Sequence, residues 1–220
     1  MKYALLTLAL VALLAASATA ATVTYGPSDT GLLTTNWATT VSLQKFDPAL
    51  GTLNSIKFIL DGHVEGTAKF ESQDAEPSVV TMDLAAILKL QRPDLSTLVV
   101  TIPVVSTLDN PSAWDGVDDF AGTSGKTYNG LTGDDSNSVT TTSAADKALF
   151  TGLGSIILPT TGSGASTGSG AGNLLLQFET KASAAAWVTY DYTPIPEPSS
   201  LIALMSGIGG LMGFAIRRRR

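Results

Sequence analysis

The chain has 220 residues and no cysteine, and 19 Asp and Glu against 13 Lys and Arg give a formal net charge of −6. Setting aside Lys2, Glu197 and Arg217 to Arg220 at the ends, residues 21–193 keep 18 acidic and 8 basic side chains, about −10. That balance excludes the basic footprint a nucleic-acid partner requires, and the missing thiols exclude disulfide staples, cysteine nucleophiles and thiolate metal sites.

Residues 1–20 begin with Lys2, continue through an apolar stretch from Ala4 to Ala16 and end on Ala18-Thr19-Ala20. Charged, apolar and small-residue regions in that order make a secretory signal, with cleavage expected after Ala20 by signal peptidase. The apolar stretch is shorter than the ~20 residues a spanning helix needs, so a retained anchor is the weaker reading.

The body, 21–193, is long enough for one domain with its own core. Short strands are expected at Ala38 to Gln44, Leu53 to Leu60, Val64 to Glu71, Leu98 to Val105, Ser138 to Thr142 and Gly154 to Leu158, each bounded by turn-forming residues. From Val80 to Leu90 the even positions are all apolar, the period of a half-buried strand. The same alternation runs from Leu174 to Tyr192, and its length predicts a bend or break between Ala182 and Ala186. Ser143 can cap a single helical turn to Phe150, and the Gly-, Ser- and Thr-rich segment 160–172 is expected to be a mobile loop. Many strands, little helix and no internal repeat predict an all-β, antiparallel sandwich of jelly-roll or immunoglobulin-like type.

Residues suited to catalysis are sparse. His63 is the sole histidine, and no nucleophile elbow follows a strand. Asp61, His63 and Glu65 share a face if their strand continues, a weak metal pattern, but Asp61-Gly62 reads more simply as a solvated hairpin. Asp115, Asp118 and Asp119, with Asp134 and Asp135 beyond, offer hard oxygen ligands on Gly-permitted turns, which suits structural Ca²⁺ although the EF-hand spacing is absent. Carboxylate pairs for glycoside hydrolysis occur in any acidic protein. Of Trp37, Trp114 and Trp187, the last is expected in the core and Trp114 exposed, where an indole could stack on sugar.

The C-terminus is the most specific part. Leu201 to Ile216 holds only apolar residues, Gly and one Ser, and Arg217, Arg218, Arg219 and Arg220 follow. Sixteen helical residues rise about 24 Å, short of a ~30 Å hydrocarbon core, and snorkelling arginines relieve part of the mismatch. Lys2 and the arginines all belong on the cytoplasmic side, which places the body outside. Ahead of the transmembrane segment stand Pro196, Glu197 and Pro198. Pro-Glu-Pro, a short apolar helix and a terminal Arg cluster together resemble the PEP-CTERM sorting signal. The resemblance implies a Gram-negative source, recognition of 194–220 by a membrane-embedded exosortase, transient anchoring in the inner membrane, and transfer toward the surface or extracellular polysaccharide.

A looser resemblance spans the body. Phe46-Asp47-Pro48-Ala49-Leu50-Gly51-Thr52-Leu53, then Trp114-Asp115-Gly116 through Asp118-Asp119-Phe120-Ala121-Gly122-Thr123-Ser124-Gly125, and Val188-Thr189-Tyr190-Asp191-Tyr192 are similar to choice-of-anchor E domains, with Trp114 where those often carry Phe. It implies a β-rich fold and interchangeable anchoring, with no activity. The sequence therefore predicts an exported, exosortase-processed, non-catalytic protein of the surface or matrix, linked to exopolysaccharide or biofilm and needing no cofactor. The alternatives are a Ca²⁺-stabilised adhesion module, a carbohydrate-active enzyme and an ice-binding protein; the last fits the Thr-rich composition but lacks the repeat.

Overall fold

The structure, a computed structural model, describes residues 19–195 and Gly207. The elements in chain order are β1 (Ala21–Asp29), β2 (Leu33–Thr34), β3 (Trp37–Gln44), a 3₁₀ turn (Pro48–Leu50), β4 (Gly51–Ser72), β5 (Val80–Gln91), β6 (Thr97–Thr101), β7 (Val104–Asp109), β8 (Gly125–Thr141), α1 (Ala144–Phe150), β9 (Ser155–Gly164), β10 (Thr167–Ser169) and β11 (Leu174–Pro194). Among the described residues no helix is long and apolar enough to cross a membrane. The expected signal helix and the expected transmembrane helix 201–216 lie outside them.

Two antiparallel sheets face each other. The first has the order β1-β11-β4-β8, with β2 continuing beside β11; the second has β3-β9-β5, with β10 following β9 on one edge of β5 and β6 and β7 on the other. Inward side chains follow the period of two predicted from sequence: Leu84, Ala86, Leu88 and Leu90 of β5 meet Ile56, Phe58, Leu60 and Val64 of β4 and Ala182, Ala184, Ala186 and Val188 of β11, while Val80 and Met82 pack with Ala68 and Phe70 in a smaller second cluster. The edges are nearly closed as well. Asp135 of β8 accepts hydrogen bonds from Thr101 Oγ1 at 2.6 Å and the Ile102 amide at 2.9 Å, and the Ser42 amide of β3 donates to Ser28 Oγ of β1 at 3.0 Å.

Three expectations need correction. The hairpin at Asp61-Gly62 does not form, because β4 runs unbroken through it for 22 residues. Gly62 is instead a close approach: a Cβ there would lie 2.7 Å from both Leu88 Cδ1 and Thr101 Cγ2, so the glycine lets the second sheet pack down. The break expected in β11 is also absent. Its small alanines are held by β4 on one side and by β1 and β2 on the other; the ladder with β4 shifts only at Asp191 and Tyr192, and the ladder with β1 shifts between Val188 and Ala186, where β1 carries the extra residue. Most of the expected loop 160–172 is strand, since β9 and β10 pair with β5 and Thr160 is fully buried. The helical turn forms where Ser143 places it, with Ser143 as N-cap. Ile102-Pro103 divides the expected strand 98–105 into β6 and β7, consistent with a proline that cannot donate to the ladder.

Candidate functional site

Both ends of the described chain leave from one pole. Ala21 pairs with Tyr192, Pro194 pairs with Gly51, and the Ile195 amide donates to the Leu50 carbonyl at 3.3 Å. Beneath this exit Tyr190 is fully buried, donates to the Gln44 carbonyl at 2.8 Å and packs among Tyr25 and Phe46, while Phe46 also packs on Tyr192. Burial pushes the Tyr190 phenol well above its ordinary pKa, so it stays protonated. Asn54 Nδ2 donates to Asp191 and Thr193 at 3.0 and 3.1 Å, holding the last strand until it ends. Ala20, the expected cleavage residue, is exposed. Ala18, the sorting residues Pro196, Glu197 and Pro198, and Arg217, Arg218, Arg219 and Arg220 lie outside the described residues.

At the opposite pole the acidic loop 110–124 folds over Glu71. The Glu71 carboxylate is completely buried and accepts from the Phe120 amide at 2.8 Å and Ser124 Oγ at 2.6 Å. The expected calcium ligands are not brought together. Asp115 accepts from the Val117 and Thr123 amides, both oxygens of Asp118 accept from Gln73 Nε2, and Asp119 accepts from the Ala121 amide. Each carboxylate thus serves its own N–H donor within the loop or beside it, and Asp134 and Asp135 sit on β8 with other partners. Among the described residues no group of three His, Asp or Glu side chains is placed to hold a metal ion. Trp114 is 45 % exposed here, as its polar neighbours predicted.

The outer face of the first sheet carries the third group. Because β4 is continuous, Asp61, His63 and Glu65 do share this face. Across the ladder they stand opposite Ala185, Ser183 and Lys181 of β11 and Ser136, Asp134 and Thr132 of β8. His63 Nδ1 lies 2.7 Å from Asp134 Oδ1, and Nε2 faces Glu65 at 4.0 Å, a carboxylate in the position where a triad would have a hydroxyl. Trp187 corrects the reading that put it in the core. It is an odd-numbered residue on a strand whose even positions point inward, so its indole lies half-buried on the outer face and donates to Asp61 Oδ2 at 3.0 Å. Beside Glu65 and Lys181 the face opens into a groove of about 650 Å³, bordered by Thr34, Thr35, Asn36 and Thr132. Sequence reasoning missed this groove, since its wall at 34–36 comes from a segment that only the β2–β11 pairing brings there.

Fold and termini together define an all-β sandwich carried ahead of a C-terminal tail. That tail, residues 194–220, matches the PEP-CTERM protein-sorting motif, which marks the chain for export and exosortase processing. The match stops at Pro194 and lends no support to the choice-of-anchor E resemblance of the body. No curated protein matches the chain. Among solved structures, a protein of an icosahedral IBDV viral particle is 13 % identical with a TM-score of 0.20, over 81 % of this chain and 40 % of that one. A protein of the Gt strain of infectious bursal disease virus is also 13 % identical, with a TM-score of 0.13, over 86 % and 49 %. The chain thus spans less than half of either protein, and scores at this level carry no argument.

Proposed function

We propose that this is an exported protein whose tail is processed by an exosortase and whose sandwich then has a non-catalytic, structural and adhesive role at the surface or in the matrix, retaining exopolysaccharide. The observation that carries the reading is the junction: Pro194 is both the last residue of β11 and the first of the sorting motif. The sandwich is therefore complete where the motif begins, and processing beyond Ile195 calls for no unfolding of its strands. Lys2 and Arg217 to Arg220 keep both ends of the precursor inside and the body outside. Within the body, successive strands alternate between sheets apart from the β5-to-β6 hairpin. Counting β1 with β2, β6 with β7 and β9 with β10 gives eight strands in the jelly-roll order, the first of the two sandwich types considered.

The test is replacement of Pro196, Glu197 and Pro198 by alanine in the producing strain. The expected result is a precursor retained in the membrane fraction with its tail attached; unchanged release overturns exosortase processing. For the matrix role, the processed wild-type protein is expected to co-sediment with the producer's own polysaccharide, and failure to do so overturns it.

A further inference from the structure

The structure assigns the polysaccharide-binding site to the outer face of the first sheet, along β11 and β4 from Trp187 to the groove at Glu65 and Lys181, with an uncharged polysaccharide chain as its ligand. This rests on the matrix-binding reading above and adds to it a location and a ligand class.

Three features carry it. The first is a flat aromatic surface among fixed polar groups: Trp187 is held against the sheet by its bond to Asp61, whose other oxygen accepts from Ser136 Oγ at 2.6 Å. An indole fixed in this way presents an apolar face to the C–H side of a sugar ring, and its entropy is already spent. The second is chemistry along the path. Ser183, His63 and Asp134 come next, then Lys181, Glu65 and Thr132 at the groove, followed by Glu179 and Thr67. Hydroxyl, imidazole, carboxylate and ammonium groups in one line match sugar hydroxyls, which both donate and accept. The eight residue steps from Glu179 to Trp187 extend about 26 Å, the reach of an extended chain and not of a single small molecule. The third is charge. Asp61, Glu65, Asp134 and Glu179 outnumber Lys181 along this path, in a body near −10, so an anionic polysaccharide is repelled while a neutral one is not.

The experiment separates the producer's exopolysaccharide into neutral and acidic fractions by anion exchange and measures retention of the processed protein by each. Wild type is expected to bind the neutral fraction. Trp187→Ala is expected to weaken binding about tenfold, the size of one lost stacking contact. Thr132→Arg, an exposed position whose long side chain fills the groove, is expected to weaken it similarly with an unchanged melting temperature. This second variant keeps the test decisive if loss of the indole also loosens the sheet. Trp114→Ala at the opposite pole is expected to bind as wild type does. If wild type binds and both face variants bind equally well, this site is overturned while the matrix reading stands. Preference for the acidic fraction overturns the ligand class, and binding to neither fraction overturns the matrix reading together with the site.

Discussion

Arg92 and Asp146 show what single side chains do in a chain without disulfides. Arg92 Nε and Nη2 donate to the two oxygens of Asp146 at 2.6 and 3.0 Å, and Thr141 Oγ1 donates a third bond, tying the β5–β6 turn to α1. The Arg92 hydrogen bond holds the Asp146 carboxyl below its ordinary value of 3.8; Thr101 does the same for Asp135 and Lys126 for Asp109. A depressed folded-state pKa gives stability that is complete above the unfolded value and is lost as pH falls through the folded one. Denaturant unfolding should therefore give a steady free energy above about pH 5 and a loss below about pH 4. Arg92→Met strands a nearly buried carboxylate and should lower that plateau by about 2 to 3 kcal/mol, with a shallower acid loss. Gly62→Ala forces a methyl against Leu88 and Thr101 and should cost about 1 to 3 kcal/mol in the same assay; an unchanged midpoint would show that the second sheet can shift to admit it.

Individual elements depend on their partners more than on their own composition. The acidic loop 110–124 contains two glycines and three Asp between Asn110 and Ser124, a composition suited to a mobile ligand loop, yet Glu71 fixes it from β4. Glu71→Ala leaves the Phe120 amide without its acceptor, and the loop should become the first site of limited proteolysis while the sandwich stays resistant. The calcium reading belongs to this loop too. Because Asp115, Asp118 and Asp119 already accept from separate N–H donors, gathering them around an ion would break those bonds. Added Ca²⁺ is therefore expected to leave the melting temperature unchanged; a rise of several degrees would show that the loop rearranges to bind it.

Over the whole molecule, β4 and β11 pair along 21 residues, which at about 3.3 Å each makes a spine of roughly 70 Å. Both termini leave at one end of that spine and the acidic loop caps the other. A precursor held by its tail is therefore expected to stand its long axis away from the membrane, with Trp114 and Val117 farthest out. The absence of cysteine makes this easy to check with single introduced thiols. In cells that carry the uncleaved alanine-substituted tail, Val117→Cys should react quickly with a bulky maleimide and Ala49→Cys, beside the exit, slowly. Equal rates would mean that the domain lies flat.

What the sequence determined by itself is what depends on local order along the chain. The sorting segment is a contiguous run of proline, apolarity and charge, the expected signal is read from the same kind of run, and the half-buried strands follow a period of two that needs no partner to be seen. The core of β5 was legible for that reason, as was the Ser143 cap. Only the tertiary structure decided where the strands end. Asp61-Gly62 looks like a turn until the second sheet packs against it, and the Gly-rich segment after Thr160 looks like a linker until β5 supplies its hydrogen bonds. The candidate binding face belongs to the same class. Trp187 sits among apolar neighbours in sequence, and only the inward direction of Ala186 and Val188 turns its indole out beside Asp61, His63 and a groove wall more than a hundred residues away. Long-range pairing fixes which side of a strand is buried, and a linear pattern gives the alternation without saying which alternate faces solvent.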